Sequence, residues 1–480
     1  MYPCPPSASA PKPHRTGRLG RVLAATCLAP MLSGCFLGPD KLDLGIQIPE
    51  KYTHAAPAKA DAARPALDWW RGFRSRELTS LMEQAQTANQ DVAVAVARVL
   101  QADANARVAN SALLPGIGLD SSGTRTKPAG GQVRSLYNLS FNASYELDFW
   151  GKNRAALASA TENAVAFRYN RDVVALSVLA STANAYFQVL AAQDRLRFAR
   201  DNLAASTRIL SIIRERQAVG TASQLEVSQQ ESLVAQVRAA IPVLEITLRQ
   251  NMAELAVLAG RPPEFVKVRG GSLNAVTVPR LTPGLPSELL QQRPDIRHAE
   301  AQLIATNHDV TAARASFFPS IRLTGETGWQ SAALSSLFGP GAWFYTMAAG
   351  LTQPVFDGGR LLGQLDVAKA QRDEALATYR GSVLAAFRDV EQALVALEQQ
   401  TRRERLQADV VRSARAAFTI SETRLREGTT DIVTVLNTQQ TLFQGQDTLA
   451  QVRLARFLAA IALYQAVGGG WPPKDAGRPI

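Results

Sequence analysis

The chain has 480 residues, 46% apolar but only 7% aromatic, a balance suited to close helix–helix packing rather than to one bulky globular core. Its formal net charge of +11 gathers into no basic run of five or more and no basic–aromatic interleaving, which argues against a nucleic-acid partner. Of its three cysteines, Cys4 and Cys27 precede Cys35, so a chain cut at Cys35 keeps one thiol, too few for a disulfide framework or a thiolate metal site.

The N-terminus reads as an export signal. Arg15 to Arg21 is positively charged and Val22 to Leu32 is apolar, a stretch too short to span a bilayer. Leu32-Ser33-Gly34-Cys35 then has the form of a bacterial lipobox, which needs small residues before the cleavage point and a thiol for thioether attachment of diacylglycerol. Residues 1–34 are therefore expected to be removed and Cys35 to carry lipid. Phe36 follows, not the Asp that retains such proteins at the inner membrane, so the anchor is expected in the outer membrane of a Gram-negative cell. Residues 35–75 form a lipidated extended tether, ending in an aromatic anchor of Trp69, Trp70 and Phe73.

Glu77 to Asn110 has helical spacing, with Leu78, Leu81, Ala85 and Ala88 on one stripe, continued by Val92, Val96, Val99 and Leu100. Pro115 stops that helix and the period changes from 3.6 to 2. Tyr137 to Phe149 alternates for thirteen residues, with Tyr137, Leu139, Phe141, Ala143, Tyr145, Leu147 and Phe149 on one face. Ordinary strands average about 5 or 6 residues, whereas crossing a membrane in a tilted barrel takes roughly 9 to 11. Ile117 to Arg125 is its partner across Lys127–Gly131, giving a hairpin over 114–149. Trp343 to Leu351 repeats the alternation, and Ile321 to Trp329 is its partner across Ser331–Gly341, giving a second hairpin over 317–355. No later run of eighteen apolar residues occurs, so a membrane crossing would use strands. Four strands cannot close a barrel, and lipid tolerates no open edge. A dimer would supply eight and a trimer twelve; the arithmetic does not choose.

Lys152 to Ala218 runs 67 positions without proline or glycine, roughly 100 Å as helix. Leu361 to Glu427 is its counterpart, with only Gly363 and Gly381. Steps of three and four recur through Val173, Leu176, Ala180, Ala183, Phe187 and Leu190, and again through Tyr379, Val383, Ala386, Val390, Ala393 and Leu397. Both runs read as coiled-coil hairpins, turning at Gly220 or Gly428 and returning toward Gly260 or Gly468. These landmarks lie 208 positions apart (Gly220 to Gly428), which makes the chain a duplication. Leu114-Pro115 and Phe318-Pro319 are 204 apart, so the difference falls in the strand hairpins. The first repeat covers 76–260, with its helical hairpin at 152–259. A proline-rich linker covers 261–286, and the second repeat 287–468, with its helical hairpin at 361–467; 469–480 is a tail. Leu289 to Ala315 is expected as a helix with Pro294 and Asp295 in its first turn.

Catalysis finds no support. His54, His298 and His308 are the histidines after Cys35, and the last two lie ten apart on one helix, not at metal-pair spacing. No phosphate loop or nucleophile elbow occurs. No catalytic residue, cofactor or metal site is expected.

Cys35-Phe-Leu-Gly-Pro-Asp40, Trp69-Trp70-Arg-Gly-Phe73, Tyr145-Glu-Leu-Asp-Phe-Trp-Gly151, Arg293-Pro-Asp-Ile296, Phe318-Pro319, Gln353-Pro-Val-Phe-Asp-Gly-Gly359 and Gly468-Gly-Gly-Trp471 occur in this order on the repeat. In these motifs the chain resembles the TolC-like outer-membrane factors, in their NodT lipoprotein branch. The resemblance implies an α+β membrane protein: a homotrimer with a twelve-stranded outer-membrane β-barrel continued by a periplasmic α-helical tunnel. It further implies the exit duct of a tripartite efflux pump, working with a periplasmic adaptor and an inner-membrane resistance-nodulation-division transporter. A type I secretion duct is the alternative, and a periplasmic coiled-coil adaptor a more distant one. By the same resemblance the adaptor is contacted at the helical tips, Val219-Gly220-Thr221 and Gly428-Thr429, where Glu427 departs from the family's valine. Relatives narrow the pore with aspartates at positions occupied here by Thr434 and Asn437. Asp431, one turn earlier, is either a gate residue or a helix cap.

Overall fold

The computed structural model describes residues 45, 48–49, 51–53, 66–279, 286–469 and 471. The lipobox, Cys35 and His54 lie outside them. In chain order the elements are α1 (Arg76–Ala88), α2 (Gln90–Ser111), β1 (Gly116–Thr126), β2 (Arg134–Leu147), α3 (Lys152–Ala218) and α4 (Gln224–Leu258). The second half repeats the series as α5 (Pro286–Gln292), α6 (Pro294–Ala315), β3 (Ser320–Ser331), β4 (Trp343–Thr352), α7 (Arg360–Arg426) and α8 (Ile432–Ala466). α2 and α6 each have 22 residues, α3 and α7 each 67, and α4 and α8 each 35.

Two elements read as continuous in the sequence are divided. Asn89 leaves the helix at ψ 132°, and its Oδ1 accepts from the amides of Asp91 (2.8 Å) and Val92 (3.2 Å), so it ends α1 and caps α2. The stripe shifts across that break: Ala95 and Val99 are buried, whereas Leu100 is exposed. Arg293 separates α5 from α6 because the following Pro294 disfavours helical backbone at the residue before it. The Arg293 guanidinium then holds Asp295 (2.6 Å), Asp389 (3.3 Å) and the Ala466 carbonyl (3.2 Å). The strand expected to reach Phe149 stops at Leu147. Asp148 turns away to cap α3, accepting from the amides of Asn153 (2.9 Å) and Arg154 (2.8 Å).

The chain forms two compact units, each drawing on both repeats. One holds the strands, which join as a single antiparallel sheet in the order β1-β2-β3-β4. Each repeat supplies one hairpin, and β2 pairs with β3 across the repeats, from Tyr137 opposite Ser331 to Leu147 opposite Ile321. At the strand ends, the Trp150 indole donates to the Pro319 carbonyl (2.8 Å) and stacks on Phe318 with centroids 4.7 Å apart.

The other unit holds most of the helices. Trp69 stacks on Tyr464 (4.9 Å) and Phe73 packs on Phe187 (5.1 Å), so the predicted aromatic anchor joins a core that also contains Leu255, Phe457 and Ile461. A second cluster gathers Ile296, Leu303, Val383, Ala386 and Val390. A third joins Ile209 and Ile213 of α3 to Phe418 and Leu425 of α7 and Val435 of α8. One 18-residue stretch of α3 is apolar enough to cross a membrane by length and composition, but 56% of it is buried within the protein, as in a core helix.

Candidate functional site

The sheet has two chemically different faces. Cross-strand register aligns Leu119 with Phe141, Leu139 with Trp329, Tyr145 with Leu323 and Trp329 with Trp343, all on the apolar face. That face has no cover: Met347 is 84% exposed and Ile117 75%. An apolar surface so continuous marks an interaction with lipid or protein. The opposite face carries Asp120, Ser140, Asn142, Arg322 and Glu326. There Ser140 donates to Glu326 Oε1 (2.7 Å) and the Asn142 amide donates to Asp120. β1 and β4 each pair on one side only among the described residues. In hydrocarbon those two edges would leave a row of unsatisfied amides and carbonyls, each costing several kcal/mol.

Where strands give way to helices, a cavity of about 320 Å³ is lined by residues including Glu146, Trp150, Lys152, Phe318 and Arg360. Its charges are already matched: Lys152 pairs with Glu146 (2.5 Å), and Arg360 lies 3.8 Å from Asp357. Among the described residues no group of three or more His, Cys, Asp or Glu could hold a metal ion.

The two tips are built alike. Gly220 and Gly428 adopt φ of +79° and +75°, a left-handed backbone that favours glycine. In the first, Gly220 N bonds to Gln217 O (2.9 Å) and Thr221 N to Arg216 O (2.8 Å); in the second, Gly428 N bonds to Leu425 O (3.2 Å) and Thr429 N to Arg424 O (2.9 Å). This is the Schellman termination, which satisfies the last carbonyls of a helix. Each threonine hydroxyl adds a bond to the same arginine carbonyl, at 3.0 and 3.3 Å. Val219, Gly220, Thr221, Gly428 and Thr429 are all exposed.

The helices that leave the tips begin on equivalent caps with different chemistry. Ser223 and Glu226 form a capping box at α4. At α8 the carboxylate of Asp431 accepts from Thr434 N (2.6 Å) and the Thr434 hydroxyl (3.2 Å). The bond from the Thr434 amide, followed by that from its hydroxyl, holds the Asp431 carboxyl below its ordinary pKa. Both oxygens thus have a structural task. Thr434 and Asn437 follow at steps of three, exposed like Asp431.

Sequence reading missed the polar fastenings between the two helical hairpins. Gln230 and Gln439, both fully buried, converge on Ser206: Gln230 Nε2 donates to its carbonyl (2.9 Å) and Gln439 Nε2 to its hydroxyl (3.0 Å). Arg195 pairs with Asp447 (2.6 Å) and Arg208 with Glu422 (3.0 Å). Near the tips, Arg216 donates to the Leu425 carbonyl (3.1 Å) and the Thr221 carbonyl (3.3 Å), tying one turn to the other. Only an interruption of the heptad pattern by Ser206, Gln230 and Gln439 could have hinted at these contacts.

Comparison with known proteins gives one answer. The outer membrane efflux protein family matches residues 81–261 and 285–469, the two repeats in turn. The chain is 37% identical over 468 residues to the pyoverdine export outer membrane protein OpmQ of Pseudomonas aeruginosa, covering 95% of this chain and 98% of that one. It is 32% identical over 468 residues to the probable efflux pump outer membrane protein TtgC of Pseudomonas putida, covering 94% and 96%. Among solved structures, the outer-membrane channel OprN superposes with a TM-score of 0.84 at 27% identity, covering 91% of this chain and 99% of that one. The open state of the Neisseria gonorrhoeae MtrE outer membrane channel gives 0.82 at 28%, covering 91% and 98%.

Proposed function

The chain belongs to the outer membrane efflux protein family, and from that premise we propose that it is the passive exit duct of a tripartite pump, docked at its helical tips to a periplasmic adaptor. It is an outer-membrane efflux channel of Gram-negative type with the TolC-like fold. The family is one of channels rather than enzymes, and its members act as trimers with adaptors and inner-membrane pumps. The observation that carries the reading is the four-stranded sheet, apolar on one face and open at both edges. Three copies would supply the twelve strands of a closed barrel and leave no edge in lipid.

In this reading Val219, Gly220, Thr221, Gly428 and Thr429 meet the adaptor, a resistance-nodulation-division transporter drives export, and Cys35 adds a lipid anchor. Asp431, Thr434 and Asn437 would line the narrow periplasmic end, with Asp431 serving first as the α8 cap. OpmQ is named for pyoverdine export, so a siderophore is the first cargo to try.

The test is expression in a Pseudomonas strain lacking OpmQ. A working duct restores pyoverdine secretion, and Gly220→Asp lowers it while trimers still form. Trimers that restore neither siderophore nor drug efflux alongside any adaptor and pump of the host would sink the duct reading. Cys35→Ser is expected to give folded, detergent-resistant trimers, because strand pairing rather than lipid closes the barrel; its absence from outer-membrane fractions would contradict this.

A further inference from the structure

The duplication lets one half of the chain report what the other half lacks. On α3, Phe198, Asn202, Ile209, Ile212 and Arg216 share one stripe at steps of three, four and seven. The second hairpin covers it. Asn202 and Ile209 are buried, and Ile209 packs in one cluster with Phe418, Leu425 and Val435. Phe198 and Asn202 face Phe443 and Asp447 of α8 across a cavity of about 350 Å³, and Arg216 closes the stripe on the Leu425 carbonyl (3.1 Å).

The same stripe 208 residues on, along α7, is Leu406, Val410, Ala417, Ile420 and Arg424. It is bare. Leu406 is 58% exposed, Val410 47% and Ile420 56%. Arg424 is exposed and makes no side-chain hydrogen bond or ion pair among the described residues. An unpartnered apolar heptad stripe ending in a cation needs an apolar surface that ends in negative charge.

One surface with both properties is on the page: the first hairpin of a second copy of this chain. The counterpart of the Leu425 carbonyl is that of Gln217, which accepts from Gly220 N (2.9 Å) as Leu425 O does from Gly428 N (3.2 Å). It lies in the last turn of α3, where a helix carries partial negative charge, and a carbonyl has a second lone pair to offer. The flank of α4 next to it shows Ala235, Ala239, Val243 and Ile246 exposed.

We propose that the α7 stripe docks head-to-tail on the first hairpin of a neighbouring copy, with Arg424 donating to the Gln217 carbonyl of that copy as Arg216 does to Leu425 within one chain. The contact is heterologous, so each subunit uses one surface to give and another to receive, and a ring closes without two-fold symmetry. It rests on the trimeric-duct reading and assigns residues to its seam. The seams are unequal in their fastenings. Within a chain, Asp447 pairs with Arg195 and Glu422 with Arg208. Between chains the positions matching Asp447 and Glu422 are Ala239 and Arg214, so those ion pairs are missing and Arg424 is the surviving polar link.

The test co-expresses two differently tagged full-length chains, one carrying Arg424→Cys and the other Gln217→Cys. Their trimers are treated with a bifunctional thiol reagent as long as an arginine side chain. The expected product is a covalent dimer bearing both tags, with none from either variant alone. A chain carrying Arg216→Cys and Leu425→Cys together should link internally and stay monomeric on a denaturing gel. Trimers that yield no mixed dimer while this internal pair links would overturn the proposal, as would dimers from Arg424→Cys alone. Failure of the unsubstituted chain to form trimers would overturn the duct assembly, and the proposal with it.

Discussion

The two helical hairpins have the same lengths, the same turn and the same arginine beneath it, yet their return helices differ in kind. α4 contains Pro242, which has no amide to give the Arg238 carbonyl. α8 is unbroken: Ala450 stands at the equivalent position, 1% exposed, and Gly445 brings the backbone to van der Waals contact with Val411. Beside Pro242 the cavity at Phe198 stays open; beside Ala450 the helices close up. Lengths and turns must agree between copies because helix rise fixes how far each hairpin reaches. Faces need not agree, because within one chain the two copies pack against different neighbours.

Four expectations would break or sharpen that contrast. The largest concerns the aromatic core of the first hairpin, where Phe187 is fully buried against Phe73 and Phe457. Phe187→Ala should lower stability by about 3–5 kcal/mol, seen in denaturant unfolding of the detergent-solubilised protein; Val395→Ala, its partly buried counterpart, should cost about 1 kcal/mol. Equal losses would mean that the two cores are equivalent after all. Pro242→Ala should stabilise by ~2 kcal/mol, since it restores a helical hydrogen bond at a small entropic cost through the unfolded chain. A neutral or destabilising result would show that Pro242 is matched to its surroundings.

Ser223→Ala should cost about 1 kcal/mol through the lost cap, read as faster amide exchange at the start of α4. The smallest effect separates the caps by pH. Asp431 titrates below its unfolded value, so its contribution is present above the ordinary carboxylate pKa and is lost as pH falls through the depressed one. Acid should therefore loosen the start of α8, and Asp431→Ser should remove that dependence. A second tip as pH-sensitive with serine as with aspartate would refute the assignment.

The sequence carried much of this. The 67-residue helices follow from the absence of proline and the scarcity of glycine over each run, and the strands from strict alternation. The tips were legible because a left-handed turn between two helical patterns asks for glycine. Helix boundaries at Asn89 and Arg293 were not, since the periodic stripe continues across both and only side-chain caps divide it. The polar centre at Ser206 was also hidden: one-dimensional spacing cannot say that two glutamines 209 positions apart reach one serine (Gln230 to Gln439).

By itself, then, the sequence determined the elements, their duplication and the chemistry of each face, because period, propensity and turn geometry act over a few neighbouring residues. Tertiary structure alone decided which like element meets which. It paired β2 with β3 across the repeats and left β1 and β4 as edges. It also covered the α3 stripe while leaving that of α7 bare. Copies so alike offer near-equal local choices. Only the long-range packing of one hairpin on the other, fixed by Ser206, Arg208 and Arg216, separates them.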